Sequence, residues 1–163
     1  METYRLIVVP LDGSSLAEEV LPQVEALASV SRAEVVLVQV VPLVSQVLNL
    51  GLAGGPDVGP LPPAQVEALS KAMEAEVERA KTYLEQVAQR LRQKGLQVAT
   101  EVRRGDPGEE IVALAKERRA DLIAISTHGR SGLSRLVFGS VAETVIRSAG
   151  TPVLVVKPVS KKR

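Results

Sequence analysis

Five short runs of Val, Ile, Leu and Ala alternate along the chain with longer stretches whose apolar residues recur at helical spacing. This alternation predicts βαβ units closing into a parallel sheet, an α/β fold. The runs are Arg5–Pro10, Glu34–Val41, Gln97–Arg103, Asp121–Ser126 and Val153–Lys157. Most lack strict apolar/polar alternation, as expected of strands covered by helices on both faces.

Between the first two runs, Leu16, Val20, Val24 and Leu27 share a helical face. Ser15 with Glu18 three residues later reads as a capping box, so the helix is expected to start near Ser15. Pro42 to Pro63 is rich in Gly and Pro and reads as a long loop. Its apolar part, Val44 to Leu52, is open to three readings: a lid, a partner surface or a disordered segment. Next, Val66, Leu69, Met73, Val77, Ala80, Leu84, Val87 and Leu91 repeat with helical period as far as Gly95. At about 1.5 Å per residue that helix spans roughly 45 Å, longer than a small sheet, so its first turns should overhang or kink. The third helix opens at Asp106-Pro107-Gly108-Glu109-Glu110 and closes with Lys116, Arg118 and Arg119, which places an N-cap, a Pro at N1 and helix-dipole charges where they belong. The fourth starts at Ser140, with Glu143 three residues on, buries Val141, Val145 and Ile146, and stops at Gly150-Thr151-Pro152.

Composition narrows the function. The chain has 163 residues, the size of one domain spanning 1–163 with the long loop at about 42–63. With 20 basic and 19 acidic residues the net charge is +1, too small for electrostatic binding of nucleic acid. Aromatics make up 2%, which leaves no platform for stacking bases. Zero cysteines and the single His128 exclude thiolate metal sites, cysteine nucleophiles and any centre that needs two imidazoles. Gln39, Pro42, Ser45, Gln46 and Asn49 interrupt the longest apolar region, so no membrane span is expected. The start of the chain shows no targeting pattern, and a cytoplasmic location is the expectation.

In open α/β sheets ligands bind beyond the carboxyl ends of the strands, where strand order reverses. Strand one ends in Pro10-Leu11-Asp12-Gly13-Ser14, and strand four runs through Ser126-Thr127-His128-Gly129 towards Gly139-Ser140. The second segment has the makings of a phosphate cradle, since glycines let backbone approach an anion and a helix start offers free N–H groups. Neither a Walker A loop nor the Gly-x-Gly-x-x-Gly dinucleotide fingerprint is present.

The run Ser126-Thr127-His128-Gly129, nine residues, then Gly139-Ser140-Val141-Ala142-Glu143, followed by Thr151-Pro152-Val153-Leu154-Val155-Val156, resembles the universal stress protein family. Val8-Val9-Pro10-Leu11-Asp12-Gly13-Ser14 and the Gly105-Asp106-Pro107-Gly108 turn are similar to it too. The resemblance implies a five-stranded parallel sheet of order 3-2-1-4-5, helices on both faces, a homodimer and, in one branch, ATP held between strands one and four. That branch carries Gly-x-x-Gly, nine residues, then Gly-Ser/Thr. Here every element is present except the first glycine, which is Ser126. Carried over by position, Gly129, Gly139, Ser140 and the Val141 backbone would hold phosphates. Pro10 and Asp12 would meet the nucleoside, Val40 would offer its backbone to adenine, and Mg²⁺ would arrive on the phosphates. The Ser126 side chain would either crowd the nucleotide or donate one hydrogen bond. Micromolar affinity corresponds to about −8 kcal/mol. Several charge-assisted bonds of roughly 1.5–3 kcal/mol each reach that value after ordering costs.

Other readings of these residues remain open in the sequence. Asp12 before Gly13 is also a common turn residue. Ser140 and Glu143 as a closed capping box would consume the donors a phosphate needs. His128 lacks a recognisable partner for base catalysis, and Arg130 and Arg135 neighbour the γ-phosphate position only by sequence proximity. Two other functional classes compete: a nucleotide-free dimer acting as an interaction module, and a phosphoacceptor receiver domain using Asp106, Ser126 and Lys157-Pro158. Slow ATP hydrolysis is the weak enzyme reading. Val153-Leu154-Val155-Val156 as an apolar outer strand invites pairing with a second copy, whereas Thr100, Glu101, Arg103 and Arg104 discourage it at the other edge.

Overall fold

A computed structural model describes residues 4–48, 59, 61–127 and 139–157. Its strands are β1 (Leu6–Pro10), β2 (Glu34–Val41), β3 (Gln97–Arg104), β4 (Leu122–Ser126) and β5 (Val153–Val156). They form one parallel sheet of order β3-β2-β1-β4-β5, as expected, with strand ends within a residue of those read from the apolar runs.

The helices are α1 (Ser15–Glu18), α2 (Leu21–Ser31), α3 (Val44–Val47), α4 (Pro63–Arg92), α5 (Pro107–Arg118) and α6 (Ser140–Ser148). Because side chains alternate along a strand, β1 feeds two cores. Ile7 and Val9 pack with Leu37, Val24, Leu84 and Leu91 against α2 and α4. Val8 packs with Val36, Ile111, Leu114 and Val145 against α5 and α6. Each such fully buried side chain contributes about 1.5–3 kcal/mol of burial free energy, before chain entropy opposes it.

Five expectations about the helices require correction. The first helix is two, α1 and α2, because Pro22 lacks an N–H and its ring crowds the carbonyl of Glu18 in a continuous helix. Its N-cap is Ser14, whose Oγ accepts from Ala17 N at 3.1 Å, and Glu18 is used elsewhere. Within the stretch read as a loop, Val44–Val47 forms one helical turn, with Gln46 Oε1 accepting from Leu43 N at 2.8 Å. In α6 the N-cap is Gly139, no side chain caps it, and Glu143 pairs with Arg147 at 2.9 Å; the Ser140–Glu143 box is not formed. The buried face of α6 is Ala142 and Val145, while Val141 is half-buried and Ile146 is exposed.

The α5 reading holds: Asp106 caps it, Oδ1 accepting from Glu109 N at 3.0 Å, with Pro107 at N1. α4 also behaves as expected. Its buried residues run from Val77 to Leu91, and none lies in the preceding turns, as an overhang would leave them. The edges differ as the sequence implied. On β3, Arg103 bonds Glu101 at 2.8 Å and also engages Glu110 and Glu117, and Arg104 reaches Glu74. β5 presents four half-buried aliphatic residues.

Candidate functional site

β1 pairs with β2 over five residues, from Leu6↔Glu34 to Pro10↔Val38. With β4 it pairs only through Ile7↔Leu122 and Val8↔Ile123, so the carboxyl-terminal halves of β1 and β4 part. The chain leaves β1 for α1 on one face of the sheet, whereas α6, which follows β4, packs on the other. A crevice opens between them, as it does at such a reversal of strand order.

A cavity of about 260 Å³ occupies this crevice. Its apolar walls are Val38, Val40 and Ile125 from the strands and Ile111 from α5. The polar residues Asp12, Ser126, Thr127 and Ser140 also line it. Of the residues singled out from the sequence, Pro10, Asp12, Val40, Ser126, Gly139, Ser140 and Val141 all line it. Gly129 lies outside the described residues, as do His128, Arg130 and Arg135.

Each wall has a local cause. Asp12 sits in an Asx turn, Oδ1 accepting from Ser14 N at 2.9 Å, and Gly13 follows at φ +85°, a conformation that favours glycine. Leu11 N donates to Val38 O at 2.8 Å, the last rung of the β1–β2 ladder. Backbone polarity alternates along a strand, so Val40 faces the same side as Val38, beyond the point where β1 can pair with it. Its N–H and C=O are therefore presented to the crevice. At α6 the glycine cap has no side chain to satisfy the first helical N–H groups, and Ser140, Val141 and Ala142 carry that helix start onto the cavity. Ser126 Oγ is buried without a hydrogen-bond partner among the described residues.

Sequence reasoning missed two supports. Glu18 accepts from Tyr83 Oη at 3.1 Å and pairs with Arg90 at 2.7 Å, which ties the short α1 to α4 behind Ala17, a cavity residue. Burial, reinforced by the Glu18 carboxylate, pushes the Tyr83 phenol well above its ordinary value. Reading Glu18 as a capping partner hid this role; the available signal was Tyr83, one of only two tyrosines, on the buried side of a long amphipathic helix. The second is Asp121, at the base of β4. Its Oδ2 accepts from Arg5 N at 2.8 Å and Leu6 N at 3.0 Å, and these backbone bonds hold its pKa below the usual carboxylate range.

Of the residues in the receiver-domain reading, Ser126 lines the cavity and Lys157 does not, while Pro158 lies outside the described residues. Asp106 is committed to capping α5 and does not line the cavity. No group of three His, Cys, Asp or Glu side chains able to hold a metal occurs among the described residues. No helix among them is long and apolar enough to cross a membrane.

An open parallel sheet with a crevice at its strand-order reversal, faced by an uncapped helix start, defines a doubly wound α/β protein. Residues 3–157 match the model of the universal stress protein family, and the chain belongs to that family. It is 35% identical to universal stress protein MJ0531 of Methanocaldococcus jannaschii over 159 residues, covering 98% of this chain and 85% of that one. The solved structure of protein MJ0577 superposes with a TM-score of 0.77 at 29% identity, covering 98% of this chain and 100% of the other. The universal stress protein from Archaeoglobus fulgidus, solved in complex with dAMP, shares the fold with a TM-score of 0.62 at 24% identity, covering 94% and 98% of the two chains.

Proposed function

We propose that this chain is an ATP-binding universal stress protein, a nucleotide-dependent module of the stress response or of signalling, and that the β1–β4 crevice is its nucleotide site. The observation that carries this reading is the uncapped start of α6 on a cavity whose opposite wall is Val40, beyond the last β1–β2 pair at Pro10↔Val38. The first attracts phosphate, because helix-terminal N–H groups carry about half a positive charge. The second matches the donor and acceptor edge of adenine. Pro10 and Asp12 lie between these ends and take the nucleoside; Gly139, Ser140 and Val141, with Gly129 by sequence, take the phosphates. Mg²⁺ enters on the phosphates rather than on a protein site of its own. A nucleotide complex of the Archaeoglobus fulgidus protein supports the capacity of the fold, while the roles given to the residues here are those the family resemblance implies, supported by the place of all but Gly129 on this cavity.

Ser126 stands where the ATP-binding pattern has glycine. Its hydroxyl is enclosed rather than exposed, which favours a site narrowed but not blocked. Titration calorimetry with ATP and Mg²⁺ is expected to give micromolar affinity, lowered about tenfold in Asp12→Ala. Absence of heat and of competition at millimolar ATP would favour the nucleotide-free interaction module instead.

A homodimer through β5 completes the proposal. Val153, Leu154, Val155 and Val156 form an outer strand that is apolar and half-exposed, and an edge of that kind pairs with another edge unless charge prevents it. Val155→Glu is expected to convert dimers to monomers in sedimentation; dimers that persist place the contact elsewhere.

A further inference from the structure

The phosphate end of the proposed site depends on how α6 is held, and the structure shows what holds it. α5 and α6 pack side by side on one face of the sheet. At their contact lies Gly108, buried in the first turn of α5. A Cβ built on Gly108 would stand 2.6 Å from both Cβ and Cγ2 of Thr144 and 3.2 Å from its Oγ1. Real side chains do not approach so closely, and neither helix backbone can yield there without the other. The contact is therefore specific to glycine on steric grounds, independently of backbone conformation.

Its location matters more than its tightness. Pro107, the neighbour of Gly108, lines the crevice, and so does Ser140, one helical turn before Thr144 and on the same face of α6. The Gly108–Thr144 contact thus lies one turn behind the N–H groups proposed to receive phosphate. Relaxing a 2.6 Å separation to an ordinary carbon contact requires a shift of about 1 Å. Hydrogen bonds from N–H to oxygen weaken steeply over such a distance.

We infer that Gly108 is a positioning residue of the nucleotide site, setting the α6 start at phosphate-binding distance through its contact with Thr144 and leaving the nucleoside end untouched. This rests on the reading of the crevice as an ATP site. Val40, Pro10 and Asp12 belong to β2, β1 and the turn after β1, and none of them supplies an atom to the crowded contact, whose three nearest atoms are all of Thr144.

The test compares ATP with adenosine by calorimetry in wild type, Gly108→Ala and the double variant Gly108→Ala/Thr144→Gly, which removes all three crowded atoms. Gly108→Ala is expected to weaken ATP at least tenfold and adenosine less than twofold, and the double variant to restore ATP affinity to within about threefold of Thr144→Gly alone. If Gly108→Ala does not fold, Thr144→Ile crowds the same contact from the other helix and should give the same split. Equal losses for ATP and adenosine, no loss for either, or a folded double variant that regains nothing would each overturn the inference. Wild-type protein that binds neither ligand would overturn the ATP reading itself, and this inference with it.

Discussion

β1 has two neighbours and treats them differently. Against β2 it is paired from Leu6 to Pro10, and from the second pair onward the residues along that seam, Val9 and Leu37 among them, are buried. Against β4 it is paired only at Ile7 and Val8, with Asp121 closing the base through the Arg5 and Leu6 amides. Beyond that point the seam opens, and the residues beside it, Val40 and Ser126, are only half-buried. The strands are alike in composition. What differs is where the chain goes next, to opposite faces of the sheet after β1 and β4, so one seam becomes core and the other becomes crevice. A ligand site here needs no special side chain to create it; it needs a ladder that stops early.

The contrast can be broken most forcefully on the closed side. Leu37→Ala should cost about 2–5 kcal/mol in denaturant unfolding, because the surrounding core cannot collapse onto the cavity. Val40→Ala, three residues further and beside the open seam, should cost about 1 kcal/mol. Comparable losses at both positions would mean the open seam is packed like the closed one.

At the base of the open seam, Asp121→Asn should cost about 1 kcal/mol near neutral pH by weakening two backbone hydrogen bonds. The sign of its pH dependence follows from the lowered folded-state pKa. The carboxylate's contribution is complete above its unfolded value of about 3.9 and is lost as pH falls through the lower folded value. The gap between wild type and variant should therefore narrow in acid, below about pH 4. A gap that stays constant to pH 2 would remove Asp121 from that role.

A change of opposite sign is expected at the end of β4. Ser126→Ala removes a buried hydroxyl that lacks a partner and should raise the melting free energy by about 1 kcal/mol, with ATP affinity changed no more than a few-fold. A loss of stability would show that the hydroxyl is satisfied after all.

The sheet was legible because covered parallel strands are runs of Val, Ile and Leu, and five such runs stand apart in this chain. The crevice residues were legible for a different reason: strand ends at a known reversal of order are few, and the resemblance fixed that order. Helix starts were less so. Ser14 and Ser15 are adjacent hydroxyls, and only the actual backbone chooses Ser14; Pro22 carried the signal for the break after Glu18, but the continuous apolar stripe outweighed it. Ser140 and Glu143 have capping-box spacing, yet Gly139 takes the extended conformation first and moves Ser140 inside the helix. Partners distant in sequence, such as Tyr83 with Glu18 or Asp121 with Arg5 and Leu6, leave no local pattern to read.

The overhang of α4 has a consequence of another kind. From Pro63 to Glu76, about 21 Å of helix, no side chain is fully enclosed, and the first firm anchor is Val77. None of these upstream turns contributes a wall to the crevice, and Glu74 reaches back from them to Arg104 at the end of β3. Homologous chains should consequently differ in length at this point more freely than anywhere along the strands, and a fluorophore or affinity handle grafted there should leave ligand recognition intact.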